Sequence, residues 1–537
     1  MTETLAGLNP EQAEAVQTTN GPMLIMAGAG SGKTKVLTCR IAHLLQQGVR
    51  PYRILAITFT NKAATEMRER VDKMAGAAAK DVWLFTFHAF CARFLRMEIT
   101  KLGGYGSNFA IYDSSDSQNL IKQILKELNL DEKRFQPAGI ASRISNAKNQ
   151  LQSVSDFSKA ASDFYNQKVA EIYERYQNKL LVNNAVDFDD LLVLSIRLLQ
   201  ESEEVRAKYQ ERFDYLLVDE YQDTNHAQYL FIKLLAQKHG NLCVVGDDDQ
   251  SIYKFRGATI ENIMSFEKTF PNAKVIRLEQ NYRSTQTILD AANAVIAHNT
   301  QRKGKELWTN NGTGKKIVCH TAENEQDEAM QVCHRIEDEV AEGRKYSDFA
   351  ILYRMNSQSS SFERAFVKSG IPYRIIGGTR FYERKEIRDM IAYLSVINNP
   401  ADEIRLRRII NTPKRAIGEK TVANAAEIAR MLGEPLFDIL CRADEFAALK
   451  RASGKLREFT SMMQELINVS NDEEVSLGDL YQLLLEKIRY EAFLKTENDD
   501  ADDRIENIRE LATNLIQYEE NNPEEASLGG FLEEVSL

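Results

Sequence analysis

A doubly wound α/β fold, with a parallel sheet and a large helical insertion, is what the sequence predicts, and three observations predict it. An apolar run at 23–26 enters Ala27-Gly28-Ala29-Gly30-Ser31-Gly32-Lys33-Thr34 and continues as Val36, Leu37, Ile41 and Leu44 at helical spacing: strand, phosphate loop, helix. Further strand runs follow at 54–60, with a helix at 61–71, and at 82–88, the alternation of a doubly wound sheet. Residues 109–184 then change to amphipathic helical segments (116–130 and 160–181) without clear strands, before strand patterns resume at 215–220 and 242–247.

The composition fits such a protein. Hydrophobic residues make up 43% and charged residues 27% of the 537 residues, too many for one core, so three or four domains are expected. No run of 18 apolar residues occurs, and the N-terminal stretch lacks the basic and apolar regions of a signal peptide; a cytoplasmic protein without a membrane partner is expected. Six cysteines (Cys39, Cys91, Cys243, Cys319, Cys333, Cys441) form no C-x-x-C pair and read as free thiols. Cys319-His320 and Cys333-His334 read as ordinary strand and helix positions rather than metal ligands. The net charge of −10 argues against a polyanion partner only at first sight. From Thr496 onward there are 13 acidic and 2 basic side chains, which leaves 66 basic and 65 acidic ones before it. The acidity is local, and the rest has charge enough for a basic groove.

The loop explains the chemistry to expect. Its glycines let successive N–H groups turn inward to phosphate oxygens, Lys33 reaches the β and γ phosphates, and Thr34 offers a hydroxyl to Mg²⁺. Ala27 stands where the strict pattern has glycine, which is tolerable if no positive φ is needed there. Asn9-Pro10-Glu11-Gln12 opens a helix, and the Gln12 amide suits the edge of adenine. The 215–220 strand delivers Asp219 to the Mg²⁺ shell and Glu220 to orient and deprotonate water. After the next strand, Gln250 is placed to sense the γ-phosphate, with Tyr253, Phe255 and Arg256 close behind to meet bases. Arg283 is a candidate arginine finger and Tyr282 a stacking partner for adenine. Phe59, Thr60, Asn61, Thr86 and His88 lie at strand ends; the aromatic side chain is either core or a stacking face for single-stranded nucleic acid.

In this order and with these gaps, AGAGSGKT, TFTNKAA, TFH, DEYQDT, VGDDDQSIYKFRGA and LEQNYRS resemble the ordered motifs of superfamily I helicases, in particular the PcrA/UvrD/Rep group of 3′ to 5′ DNA helicases. ILYRMNSQS (351–359) and IPYRIIGGTRFYERKEIRD (371–389) are similar to that family's second motor domain, and PKRAIGEKT (413–421) to its helix-hairpin-helix turn. The resemblance implies a P-loop NTPase with RecA-like parallel-sheet motor domains and mainly α-helical insertions. Subdomain 1A would comprise 1–108 and 185–277, 1B 109–184, the N-terminal part of 2A 278–381, and 2B 382–537. It implies ATP and Mg²⁺ as cofactors, with single-stranded DNA and single/double-strand junctions as partners beside repair or replication proteins. Carried over by motif, Gln12, the loop from Ala27 to Lys35, Tyr282 and Arg283 bind ATP; Lys33, Thr34, Asp219, Glu220, Gln250 and Arg283 run hydrolysis. Phe59, Thr60, Asn61, His88, Phe188, Tyr253, Phe255, Arg256 and Arg354 meet DNA.

Lys35 stands where relatives often have Arg, Phe255 where they have Trp, and Ala416 where the hairpin turn has its first Gly. The family's last two motifs, with a second arginine finger, are expected to lie beyond Leu537. The terminal segment 531–537 is then expected as an apolar helix without neighbours, and the chain is expected to bind ATP yet hydrolyse it poorly. A nucleotide-gated DNA-binding fragment with little ATPase activity is the alternative; a helicase-nuclease subunit would need a nuclease segment beyond the motor.

Overall fold

Short apolar segments supply the strands: Met23–Ala27 (β1), Ile54–Thr58 (β2), Trp83–Thr86 (β3), Ala110–Tyr112 (β4), Ala185–Asp187 (β5), Tyr215–Val218 (β6), Leu242–Gly246 (β7), Lys274–Leu278 (β8), Gln280–Asn281 (β9) and Trp308–Thr309 (β10). The computed structural model describes residues 5–254, 257–300, 302–376, 381–472, 474–497, 501–523 and 526–536. Phe255, Arg256, residues 377–380 of the 371–389 motif and residues 498–500 of the acidic stretch lie outside them. Six strands form one sheet in the order β3-β2-β6-β7-β1-β8, with every neighbouring pair parallel. β1, β2 and β7 are buried at every position, as a parallel sheet covered on both faces requires. Alternate residues of β1 feed opposite cores: Leu24 and Met26 join Leu55, Phe90 and Val218, while Met23 and Ile25 join Val36, Leu37 and Val245. β1 is flanked by β7 and β8 rather than by β2, so a crevice opens beyond its C-terminal end.

Side-chain caps set the strand-to-helix joints. The Thr60 hydroxyl accepts from the Ala63 N–H at 3.1 Å and starts the helix Asn61–Ala75. The Thr86 hydroxyl accepts from the Ala89 N–H at 3.2 Å. The expected strand 82–88 therefore stops at Thr86, and His88 falls in the first turn of the helix Phe87–Glu98. Asn9 and Gln12 form a reciprocal capping box.

The helical stretch after residue 109 is not strand-free. β4 and β5 pair in parallel at its two ends, Ala110 beside Ala185 and Tyr112 beside Asp187; three residues are too few to show a period in the sequence. Between them, the helices Ser114–Glu127, Pro137–Asn149, Val154–Ala160 and Phe164–Val182 enclose a core of Leu120, Ile124, Ile140, Ile172 and Tyr176.

From Lys385 onward the described elements are helical, and Met390, Tyr393, Leu456, Phe459, Tyr481 and Leu511 are buried among them. Tyr112 donates to Asp402 Oδ1 at 2.8 Å, and Arg405 pairs with Asp116 at 3.2 Å, tying these helices to the insertion. The terminal helix Leu528–Ser536 has neighbours after all. Phe531 and Leu532 are buried, Phe531 meets Tyr518 edge-on, and Glu533 pairs with Arg96 at 3.2 Å.

The chain divides into two units, Met1–Gly312 with Glu386–Leu537, and Thr313–Lys385. In the second, the helices Glu325–Ala341 and Ser359–Ser369 join through Ala329, Cys333, Ile336, Ala365 and Phe366. The six-stranded sheet belongs to the first; among the described residues the second has no strand, and Ile317, Val318 and Leu352 are exposed. No helix among the described residues is long and apolar enough to cross a membrane.

Candidate nucleotide and nucleic-acid site

The phosphate loop is built as its composition demands. Ala27 ends β1 as a buried strand residue, so the missing glycine costs nothing there. Gly30 and Gly32 do take left-handed backbone, at φ 65° and 89°. A Cβ on them would lie 2.6 Å from Asn281 Nδ2 and 2.8 Å from Gln12 Nε2. The Ser31 hydroxyl closes the loop by donating to the Gly28 carbonyl at 2.7 Å. The following helix Lys33–Gln46, with Thr34 in its first turn, has no side-chain cap and no acidic residue in that turn. Its first N–H groups and its dipole therefore favour an anion.

Acidic groups that follow β6, one strand removed from β1 in the sheet, face this loop. Lys33 Nζ lies 3.0 Å from Glu220 Oε2. Asp219, directly after β6, is 5% exposed; burial and then the Glu220 charge push its carboxyl up to about 6. Glu220 has φ 47° and ψ 43°, a left-handed backbone that costs a non-glycine residue about 1–2 kcal/mol. Its N–H donates to Asp219 Oδ1 at 2.9 Å and its Oε2 accepts from Gln222 Nε2 at 2.8 Å, which holds the carboxylate over the loop. Asp223 is likewise raised to about 6 by burial and by Glu220, and its buried Oδ1 has no hydrogen-bond partner. Among the described residues no ammonium or guanidinium pairs with Asp219. A buried carboxylate and an orphaned oxygen beside a threonine-bearing loop fit a hard divalent cation such as Mg²⁺.

Beside the loop, Gln12 is 1% exposed and both its amide faces are used within the protein. It accepts from the Asn9 N–H at 3.1 Å and donates to the Ser31 carbonyl at 2.8 Å. Lys35 Nζ donates to the Gly7 carbonyl at 2.8 Å. The Tyr282 ring is half exposed and its hydroxyl donates to Gln280 Oε1 at 2.9 Å. Asn281, which sequence reasoning passed over, is the joint of this region. It donates to the Ala29 carbonyl at 2.6 Å and accepts from the Arg283 N–H at 2.8 Å. The Tyr282 N–H donates to the Gly30 carbonyl at 3.0 Å, so Arg283 is delivered to the loop by backbone and side-chain bonds together. The Asn in LEQNYRS was its only signal. Gln250 follows β7 and donates to Asp247 Oδ2 at 2.5 Å.

Aromatic side chains collect beyond β2, β3 and β5. Phe59 meets Phe87 edge-on at 5.5 Å, and His88 lies 5.4 Å from Phe188; burial pushes the His88 imidazole down to about 4, so it is neutral at pH 7. Phe188 opens the helix Phe188–Glu201, whose cap Asp187 accepts from the Asp190 N–H at 2.8 Å. Lys148 Nζ lies 2.6 Å from Asp187 and 2.8 Å from Asp190, a brace that no local motif announces. Thr60 is a helix cap, Asn61 is exposed beside it and Tyr253 is exposed. Arg354, in the second unit, is exposed and its N–H donates to Gln358 Oε1 at 3.1 Å. Cys319 is exposed and Cys333 buried as free thiols.

Comparison with known proteins gives a consistent result. Residues 8–271 match the UvrD/REP helicase N-terminal domain and residues 276–537 the UvrD-like helicase C-terminal domain. An ATP-dependent DNA helicase PcrA from Bacillus subtilis strain 168 is 48% identical over 536 residues, covering 99% of this chain and 72% of the relative. Proteins of the same description from Staphylococcus aureus strain Mu50 and from Staphylococcus epidermidis are each 48% identical over 540 aligned positions, covering 100% of this chain and 74% of the relative. The expectation that the C-terminal motifs are lacking is not borne out, because the C-terminal family match extends through residue 537.

Proposed function

The chain belongs to the UvrD/REP helicase family, and from that premise we propose that it is an ATP-dependent DNA helicase. In this reading it moves 3′ to 5′ on single-stranded DNA and opens single/double-strand junctions during repair and replication. The observation that carries the reading is the arrival of Lys33, Glu220, Gln250 and Arg283 at one edge of the parallel sheet, each after a different strand.

ATP is held with its phosphates on the N–H groups at the start of the Lys33–Gln46 helix. Lys33 exchanges its ion pair with Glu220 for the β and γ phosphates. Glu220, released but still aimed by its strained backbone, orients the attacking water and takes its proton. Arg283 neutralises charge that develops on the transferring phosphoryl group, and Gln250 registers its presence. Thr34 and Asp219 would hold Mg²⁺, which supplies positive charge to the phosphate oxygens when bound. Tyr282 and Lys35 flank the base, and Gln12 meets its edge by turning its amide from the Asn9 N–H and the Ser31 carbonyl that hold it here. Phe59, Thr60, Asn61, His88, Phe188 and Tyr253, with Phe255 and Arg256, meet DNA, where stacking contributes about 1–3 kcal/mol per base; Arg354, of the second unit, is a separate DNA-binding residue in this reading. Residues 1–108 with 185–277 serve as motor subdomain 1A, 109–184 as 1B, 278–381 as 2A and 382–537 as 2B, in a cytoplasmic protein.

The test is ATP hydrolysis with and without single-stranded DNA, beside strand displacement on duplexes with 3′ or 5′ single-stranded tails. DNA-stimulated turnover and displacement confined to 3′ tails are expected. Turnover indifferent to DNA, or equal displacement from both tails, would refute the reading.

A further inference from the structure

One charged cluster on the same sheet edge has no part in the chemistry above. The carboxylates of Asp247, Asp248 and Asp249, after β7, lie within 4.8 Å of one another. Three carboxylates so spaced would suit a divalent cation, but an internal cation fills the place. Lys305 Nζ lies 2.6 Å from Asp247 Oδ1 and 2.9 Å from Asp249 Oδ2, also bonds Asp248, and has a side chain only 3% exposed. Arg302 forks onto Asp249 at 2.9 and 2.8 Å, and the Lys303 N–H reaches Asp248 at 2.7 Å.

Lys305 belongs to a strap, residues 302–309, that also reaches the phosphate loop. A Cβ on Gly28 would lie 2.1 Å from Leu307 Cδ2. The strap ends in β10, which pairs with β9, and the Thr309 hydroxyl donates to the Asn281 carbonyl at 2.7 Å. The remaining oxygen of Asp247, Oδ2, accepts from Gln250 Nε2. Ammonium, carboxylate and amide thus form one chain from the strap to the nucleotide-sensing glutamine.

We infer that Lys305 is a positioning residue for Gln250: by fixing Asp247 it fixes the direction of the Gln250 amide, and it links the strap over the phosphate loop to the sensing turn. The inference rests on the proposed role of Gln250 in ATP hydrolysis. A carboxylate held on one oxygen by a buried ammonium cannot rotate away from the amide on the other. Without the ammonium, Asp247 Oδ1 keeps only the Asp249 N–H at 3.2 Å, and Asp247 and Asp248 face each other with no cation between them, so the turn is free to shift.

Steady-state ATP hydrolysis by the full chain, at saturating single-stranded DNA, tests this with Lys305→Met, Lys305→Arg, Asp247→Asn and Gln250→Ala and their combinations. Lys305→Met is expected to lower kcat about tenfold with KM for ATP changed less than about twofold, Lys305→Arg to restore most of it, and neither Lys305→Met nor Asp247→Asn to add more than about twofold on Gln250→Ala. Asp247→Asn leaves Lys305 paired with two carboxylates; it decides alone if Lys305→Met does not fold, and it is expected to lower kcat with KM unchanged. Wild-type kcat in Lys305→Met and Asp247→Asn, or equal losses with and without Gln250, would overturn the inference. A Gln250→Ala variant with wild-type kcat would overturn the role of Gln250 first, and this inference with it.

Discussion

Lys33 and Lys148 are both ammonium groups paired with carboxylates, and their surroundings differ in how far they are closed to water. Lys33 keeps 11% of its side chain exposed and, among the described residues, holds one ion pair, to a Glu220 carboxylate that is 36% exposed. Lys148 is 1% exposed between Asp187 and Asp190, and those acids also accept from the Tyr176 hydroxyl and the Gln177 amide. Burial works against the Lys148 charge, but Asp187 and Asp190 outweigh it and raise its pKa. The first cluster has an exchangeable partner and a strained backbone at Glu220; the second is closed. In the proposed reading, open pairing beside the helix end that would take the phosphates serves chemistry, and closed pairing serves architecture.

The largest expected effect tests the closed cluster. Lys148→Met leaves two buried carboxylates without their cation and is expected to cost about 3–5 kcal/mol, read by denaturant unfolding and by earlier proteolysis within 109–190. A loss below about 1 kcal/mol would erase the contrast with Lys33. Lys33→Ala is the counterpart. ATP turnover is expected to fall on the order of 10²–10³-fold, with the unfolding midpoint unchanged, since its partner Glu220 can reach water.

His88 sharpens the comparison between the two sites, because it rests on Phe188 beside the closed cluster. Its folded pKa, about 4, lies below the unfolded value of 6.5. Its contribution to stability is therefore complete above pH 6.5 and is lost as pH falls toward 4. Because part of the ring meets solvent, about 1–2 kcal/mol is expected. His88→Asn should remove that portion of the slope between pH 6.5 and 4 in paired denaturation curves; identical slopes would reject it. The smallest effect lies away from both clusters. Ala416 has φ 53°, so Ala416→Gly is expected to stabilise by about 1 kcal/mol, measured as a shift in denaturation midpoint.

How far the sequence was legible depends on the distance between partners. The phosphate loop, Asp219-Glu220, Gln250 and Arg283 stand in runs of a few residues whose backbone chemistry is local, and each lies at the sheet edge where its run put it. Strand ends were legible only roughly: a threonine cap, not hydropathy, ended β3 before His88. The terminal helix was misjudged because its partners, Arg96 and Tyr518, cannot be seen from its own residues.

By itself, then, the sequence determined the parallel α/β sheet, the nucleotide loop and the order of the motifs, because local periodicity and glycine placement act over a few residues. Only the tertiary structure decided which charges close on each other. Lys148 meets Asp187 from 39 residues away, Lys305 meets Asp248 from 57, and Arg96 meets Glu533 from 437. Desolvation makes each of these pairings strong or costly, and desolvation is a property of the packed whole.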